Sequence, residues 1–302
     1  MIYITGDTHG RYDRIITFCK IMQTTKDDIL IILGDAGWNY YQDSRDTWAK
    51  KQLESLPITL FCVHGNHEQR PYAIPTYKEK NWNGGIVYQE NEYPHILFAK
   101  DGEIYNLAGK SVMVIGGAYS VDKFYRLEQG WNWFENEQPS AEIKEYVNQR
   151  LDESDWKVDI VLSHTVPIKY EPTEVFIKSM DQSTVDKSTE IWLNFIEAQL
   201  EYEHWYAGHY HTEKEIDKLS ILYNNYKNLE NGEEIEEIPV QGRPKYKKKD
   251  KVKFQWNPKE VKEGVIEIVN YHELSYDIMV EESCDENSSK CLYKHVSETQ
   301  IL

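Results

Sequence analysis

Three short apolar runs near the start of the chain set its first pattern. Ile2–Thr5, residues 28–33 (DILIIL) and residues 58–63 (ITLFCV) are continuous rather than alternating. Strands covered on both faces read this way, so a parallel sheet with helices outside it is expected. Between the first two runs, Ile15, Ile16, Phe18, Cys19 and Met22 recur at roughly helical spacing over 11–24, and a second helix is expected around 43–55. The opening therefore reads as two βα units and a third strand.

The middle is less regular. Residues 96–118 read as strands around turns at Asp101-Gly102 and Ala108-Gly109. Residues 119–139 hold Tyr119, Phe124, Tyr125, Trp131, Trp133 and Phe134 and read as a long loop with contents of its own. A helix over 140–152, a strand over Val158–Leu162, a helix near 189–200 and an apolar run ending at Ala207 follow, and 213–229 completes this part.

The pattern then changes. Residues 230–237 carry Glu at 230, 233, 234, 236 and 237, and Lys follows at 245, 247, 248, 249, 251 and 253 around Gly242 and Pro244. Charge blocks with Pro and Gly mark a boundary. The short runs VKFQW, GVIEIV, SYDIMV and CLYKHV beyond it suggest a small all-β barrel. The expected organisation is a domain over 1–229, a charged linker over 230–243 and an all-β module over 244–302.

Length agrees, since 302 residues suggest about two domains at roughly 150 residues each. With 34 Lys and Arg against 51 Asp and Glu, the net charge of −17 argues against a surface built to coat duplex nucleic acid. Hydrophobic residues at 40 % and aromatics at 13 % suffice for a packed core. No apolar run approaches the ~18 residues that span a bilayer, and MIYITGDTHG has neither the basic nor the apolar region of a signal peptide. Cys19, Cys62, Cys284 and Cys291 are too few and scattered for a disulfide scaffold, which suits a reducing cytoplasm.

Five segments share one chemical character: Asp7-Thr8-His9, Gly34-Asp35, Gly65-Asn66-His67-Glu68, His164 and Gly208-His209-Tyr210-His211. Each follows an apolar, strand-like run, and ligands gather at such strand ends in α/β sheets. A lone strand-end histidine is usually structural; an ordered set of carboxylate, imidazole and amide oxygen is a donor set for divalent cations. Besides His67 it amounts to Asp7, His9, Asp35, Asn66, His164, His209 and His211, which with one shared carboxylate suits two ions. Two adjacent ions can stabilise both oxygens of an in-line phosphoryl displacement. Mn²⁺ is the expected metal, with Fe and Zn²⁺ also compatible.

In the ordered set DTH, GD, GNHE, H and GHYH, residues 1–225 resemble the calcineurin-like metallophosphoesterase family. The resemblance implies an α/β protein with a β-sandwich flanked by helices, attacking a phosphomonoester or phosphodiester with a metal-bridging hydroxide and no phosphoenzyme. It implies that Asp7, His9, Asp35 and His211 hold one metal and Asp35, Asn66, His164 and His209 the other. His67 would then protonate the leaving group or stabilise developing charge. Protein Ser/Thr phosphatases of that family continue the second block with an aspartate and an arginine, whereas here Asp35 is followed by Ala36-Gly37-Trp38-Asn39. The carboxylate that orients the histidine and the arginine that clamps phosphate are missing there, and Arg70, Arg126 and Lys123 are candidate replacements for the clamp. Residues 116–139 look like a stretch in small bacterial and phage-borne members, and within it Tyr119 and Arg126 are the expected substrate contacts. The module at 244–302 resembles SH3-like barrels that begin with a basic strand. Two alternatives stand beside a phosphoesterase of unassigned substrate: a nuclease acting on single strands through the Lys-rich module, and a non-catalytic adaptor working through that module.

Overall fold

A computed structural model describes residues 1–176, 182–235, 246–257, 260–270, 275–284, 287–297 and 300–302. The chain divides into two compact units, Met1–Ile238 and Pro239–Leu302. The expected linker at 230–243 falls largely outside the described residues.

In the first unit the elements run β1 (Ile2–Thr5), α1 (Tyr12–Met22), β2 (Ile29–Ile32), α2 (Ser44–Glu54), β3 (Thr59–Cys62), β4 (Tyr77–Trp82), β5 (Gly85–Glu90) and β6 (Tyr93–Ala99). Then come β7 (Ile104–Leu107), β8 (Lys110–Ile115), α3 (Lys123–Gln129), α4 (Ala141–Glu153), β9 (Ile160–Ser163), α5 (Ser188–Glu197), β10 (His204–Ala207), β11 (Lys214–Ile216), β12 (Leu219–Ile221) and β13 (Tyr226–Asn228).

The strands form two sheets, ordered β13-β1-β2-β3-β6-β5-β4 and β11-β12-β10-β9-β8-β7. The runs β1-β2-β3-β6 and β8-β9-β10-β12 are parallel. Every residue of β1, β2, β3 and β9 is buried, as the continuous apolar runs require. Alternate side chains of the two sheets meet in one core, with Ile4, Leu33, Phe61 and Leu97 from the first and Tyr105, Val114, Leu162 and Tyr206 from the second. Phe61 stacks on Trp82 and meets Tyr105 edge-on, both at 4.9 Å between ring centroids. The outer face of the first sheet packs on Ile15 and Phe18 of α1 and Ala49 and Leu53 of α2. The outer face of the second packs on Val147 and Leu151 of α4 and Leu193 and Ile196 of α5. The unit is thus a β-sandwich flanked by helices, the expected α/β architecture.

The aromatic stretch 119–139 differs from a plain loop because it contains α3. KFYRLEQ has no helix breaker, and Gly130 ends the turn in the left-handed region at φ 65°. The hairpin β4–β5 turns at Asn83 (φ 47°) and Gly84 (φ 88°), a pairing suited to a tight hairpin.

The second unit contains an all-β region. Strands β14 (Lys251–Asn257), β15 (Glu260–Asn270), β16 (Ser275–Cys284) and β17 (Asn287–Ser297) form an antiparallel meander. Val252, Phe254, Ile266, Tyr276, Ile278, Val280 and Val296 pack on one face, and Phe254 bridges to Ile301. Among the described residues no helix is long and apolar enough to cross a membrane.

Candidate metal centre

The C-terminal ends of five parallel strands bring the chemistry together. Asp7 and His9 follow β1, Asp35 follows β2, Asn66 and His67 follow β3, His164 follows β9, and His209 and His211 follow β10. The site therefore draws on both sheets. Four of these residues lie in the left-handed region, His9 at φ 46°, Asp35 at 47°, His209 at 69° and His211 at 49°. Such conformations cost of order 1–3 kcal/mol each and gather where geometry is imposed for a purpose. Close packing adds to the constraint: a Cβ on Gly34 (φ 99°) would stand 2.1 Å from His164 Nδ1.

Backbone amides orient both carboxylates. His209 N–H donates to Asp7 Oδ1 at 2.9 Å, and His67 N–H donates to Asp35 Oδ1 at 2.7 Å. Each Oδ2 is left facing imidazoles. Asp7 Oδ2 lies 3.3 Å from His211 Nε2 and 3.5 Å from His9 Nε2. Asp35 Oδ2 lies 3.7 Å from His164 Nε2 and 3.8 Å from His9 Nε2. Asp7 Oδ2 is buried yet accepts no well-formed hydrogen bond. Burial alone would raise the Asp7 pKa, but the imidazoles of His211 and His9 outweigh it and hold the carboxyl well below its usual range.

Two groups of donor atoms are close enough to share a cation: Asp7, His9 and His211, and Asp7, Asp35 and His164. His9 Nε2 and His211 Nε2 are 3.0 Å apart. His164 donates Nδ1–H to the Leu33 carbonyl at 2.7 Å, which turns its Nε2 toward the cluster. That nitrogen lies 2.8 Å from Asn66 Oδ1, while Asn66 Nδ2 is committed to Ser120 Oγ. Atoms able to bind a cation thus stand close together. Ligands about 2.1 Å from one ion at right angles stand about 3 Å apart, so the residues fit divalent cations. His209 stands beside His164 at 5.0 Å between ring centroids, and burial pushes its pKa well down.

His67 lies next to this cluster, its ring 5.6 Å from that of His9. Its Nδ1 is hydrogen-bonded by the Arg126 guanidinium, which also reaches the Tyr40 hydroxyl at 3.1 Å and Asp122 at 2.7 Å. Arginine only donates, so Nδ1 accepts and the proton of the neutral ring sits on Nε2. Burial first, and the Arg126 charge second, hold His67 well below the usual imidazole pKa.

Of the expected contacts, then, Arg126 meets the site. Tyr119 makes no hydrogen bond to the cluster among the described residues; its ring lies 6.0 Å from the Lys123 ammonium, which stands 4.0 Å over Trp133. Arg70 is not a free clamp: it is buried and paired with Asp101, and its Nε donates to the Asn136 carbonyl at 2.7 Å. Glu68 caps no helix. Its fully buried carboxylate accepts from Gly65, Gly37 and Ala36 amides at 3.1, 3.3 and 3.4 Å, tying the second and third blocks together. Burial and nearby Asp35 push its pKa up to about 8.

Sequence reasoning missed Arg14, Ser120 and Glu137. Arg14 is buried and bonds the Asp7 and Tyr223 carbonyls at 3.1 and 2.8 Å, fixing the loop after β1. No pattern marks Ser120 or Glu137; Ser120 meets Asn66 from 54 positions away.

The profile of the calcineurin-like phosphoesterase family matches residues 1–213. The structure of TT1561 from Thermus thermophilus is similar at 14 % identity and TM-score 0.43, over 78 % of this chain and 96 % of that one. Phosphopantetheinyl hydrolase (PptH) from Mycobacterium tuberculosis is similar at 12 % identity and TM-score 0.40, over 74 % of this chain and 87 % of that one. No curated protein matches the chain. With residues 1–213 of 302 matched, the chain belongs to the calcineurin-like phosphoesterase family.

Proposed function

We propose that this chain hydrolyses a phosphomonoester or phosphodiester with two divalent ions, one held by Asp7, His9, Asp35 and His211 and the other by Asp35, Asn66, His164 and His209. Its family makes it a metal-dependent phosphoester hydrolase in the general sense. One observation carries the finer reading: His164 Nε2 and Asn66 Oδ1 stand 2.8 Å apart, beside a buried Asp7 Oδ2 that accepts no well-formed hydrogen bond. Cations at these positions would take all of those atoms as ligands. Mn²⁺, Fe and Zn²⁺ all suit oxygen and imidazole donors, with Mn²⁺ the first choice. Bound there, the ions supply the Lewis acidity that activates water and offsets phosphoryl charge.

The chain's own groups do the rest. Asp7 and Asp35 each turn one oxygen to a backbone amide and keep the other for an ion. His67, kept as the Nε2–H tautomer by Arg126, donates a hydrogen bond to an oxygen of the phosphoryl group or the leaving group. Arg126 stands where a positive charge next to that donor strengthens it. The Tyr40 hydroxyl within reach of Arg126 holds the guanidinium in place.

The reading is tested by initial rates on bis(p-nitrophenyl) phosphate and p-nitrophenyl phosphate with Mn²⁺, alongside Asp35→Asn. Turnover of either compound that collapses in the variant supports it. Equal rates in the two proteins refute it.

A further inference from the structure

Beside the loop after β3 lies a cavity of about 230 Å³ that none of the seven proposed ligands lines. His64 just after β3, Tyr88 of β5, Ala99 of β6, and Ile143 and Tyr146 of α4 form its walls. His64 is 2 % exposed, and neither of its ring nitrogens meets a hydrogen-bond partner among the described residues. An imidazole, neutral or protonated, carries at least one N–H, so a buried donor on this wall lacks an acceptor. Buried polar groups left in that state are rare in folded proteins.

The charged groups of the lining are already matched. The Arg70 guanidinium pairs with Asp101, and its Nε donates to the Asn136 carbonyl at 2.7 Å. The Lys100 ammonium lies 2.9 Å from Glu79, and the Tyr146 hydroxyl donates to Glu103. Exposed Glu142 adds a negative charge to the lining. An anionic guest would find each cation held by a carboxylate, and an ammonium guest would bring no acceptor to His64.

We propose that this cavity is a second binding site, and that it takes a neutral heteroaromatic ring of nucleobase size whose ring nitrogen or carbonyl accepts from His64. The volume is about eight waters' share of liquid, which leaves room for one ring or two fused ones. Tyr72, Tyr88 and Tyr146 supply ring surface that favours a flat aromatic guest. The inference concerns a site apart from the phosphoester chemistry and does not depend on it.

The test is a titration followed by saturation-transfer difference NMR on the chelator-treated full chain. Adenine and nicotinamide are the neutral probes and benzoate the anionic one. A guest of about ten non-hydrogen atoms should bind with a Kd of about 1 mM, so adenine or nicotinamide saturates in this range and benzoate does not. His64→Phe keeps a flat ring but removes its N–H, and should weaken the neutral probe about tenfold. Ile143→Trp, in the first turn of α4, fills the cavity from the opposite element and should abolish binding. Near-ultraviolet circular dichroism confirms that each variant folds. The proposal is overturned if neither neutral probe saturates, if benzoate binds as tightly as they do, or if either variant binds the probe as the wild type does. Should His64→Phe not fold, Ile143→Trp decides whether the probe sits here and benzoate decides its class. No metal is present in the titration, so its failure leaves the phosphoesterase reading standing.

Discussion

His67 has the Arg126 guanidinium against its Nδ1, and that partner sets what the histidine can do. A carboxylate at Nδ1 would favour imidazolium; Arg126 opposes it and keeps a neutral ring with Nε2 as donor. Replacing His67 with Ala should therefore leave metal binding intact and lower kcat by about 10²–10⁴-fold, the usual contribution of a positioned proton donor. Steady-state rates and Mn²⁺ titration on the same protein check this; wild-type kcat would remove His67 from the mechanism. At this scale the sequence was legible where chemistry was dense. Asp7, His9, Asp35, Asn66, His164, His209 and His211 stand in ordered blocks after apolar runs, and the structure brings them to one edge. It was not legible for Arg70, which sits two residues after Glu68 but turns to Asp101. Nor was it for Ser120, whose partner Asn66 is 54 positions away. A common polar residue carries no periodic signal, so only the fold reveals such a pair.

Short parallel strands do the positioning at the next scale. Continuous apolar runs announced β1, β2, β3 and β9 to within a residue or two, and helical spacing announced α1. The hairpin β4–β5 was hidden because β4 reads YKEKNW, mostly exposed and polar, although its Asn83-Gly84 turn was a usable signal. Helix α5 adds a pH-dependent element. Glu190 in its first turn is buried, accepts from the Thr165 hydroxyl at 2.8 Å, and is pushed up by burial to about 7. Its folded pKa thus lies above the ordinary value of 4.5, so the folded state binds this proton more tightly. The contribution is complete below about pH 4.5 and is lost as pH rises through about 7, with an upper bound of about 3 kcal/mol. Glu190→Gln keeps a neutral group there and should flatten the fall in stability between about pH 5 and 8. Denaturant midpoints across that range check it; an unchanged slope would show that Glu190 is not its source.

For the whole molecule, the family match and the site both lie within the unit Met1–Ile238. Ile235 bonds to Tyr226 and packs against the helix-side core, so residues just past 229 belong in any truncated form. A chain ending at Ile238 should keep kcat on a small aryl phosphoester, because all seven proposed ligands and His67 precede that point. Loss of turnover in a folded truncation would assign the all-β region a part in catalysis. We propose an SH3-like module for that region, on its antiparallel meander and the bridge from Phe254 to Ile301. The central claim is hydrolysis by two divalent ions sharing Asp35. Its most direct test is a stepwise addition of Mn²⁺ to the stripped full chain, following bis(p-nitrophenyl) phosphate hydrolysis and bound metal together. The account predicts that the rate levels off only when two equivalents are bound, and that Asp35→Asn abolishes both the second equivalent and the rate. A rate that is complete with one ion, or independent of added metal, would contradict it.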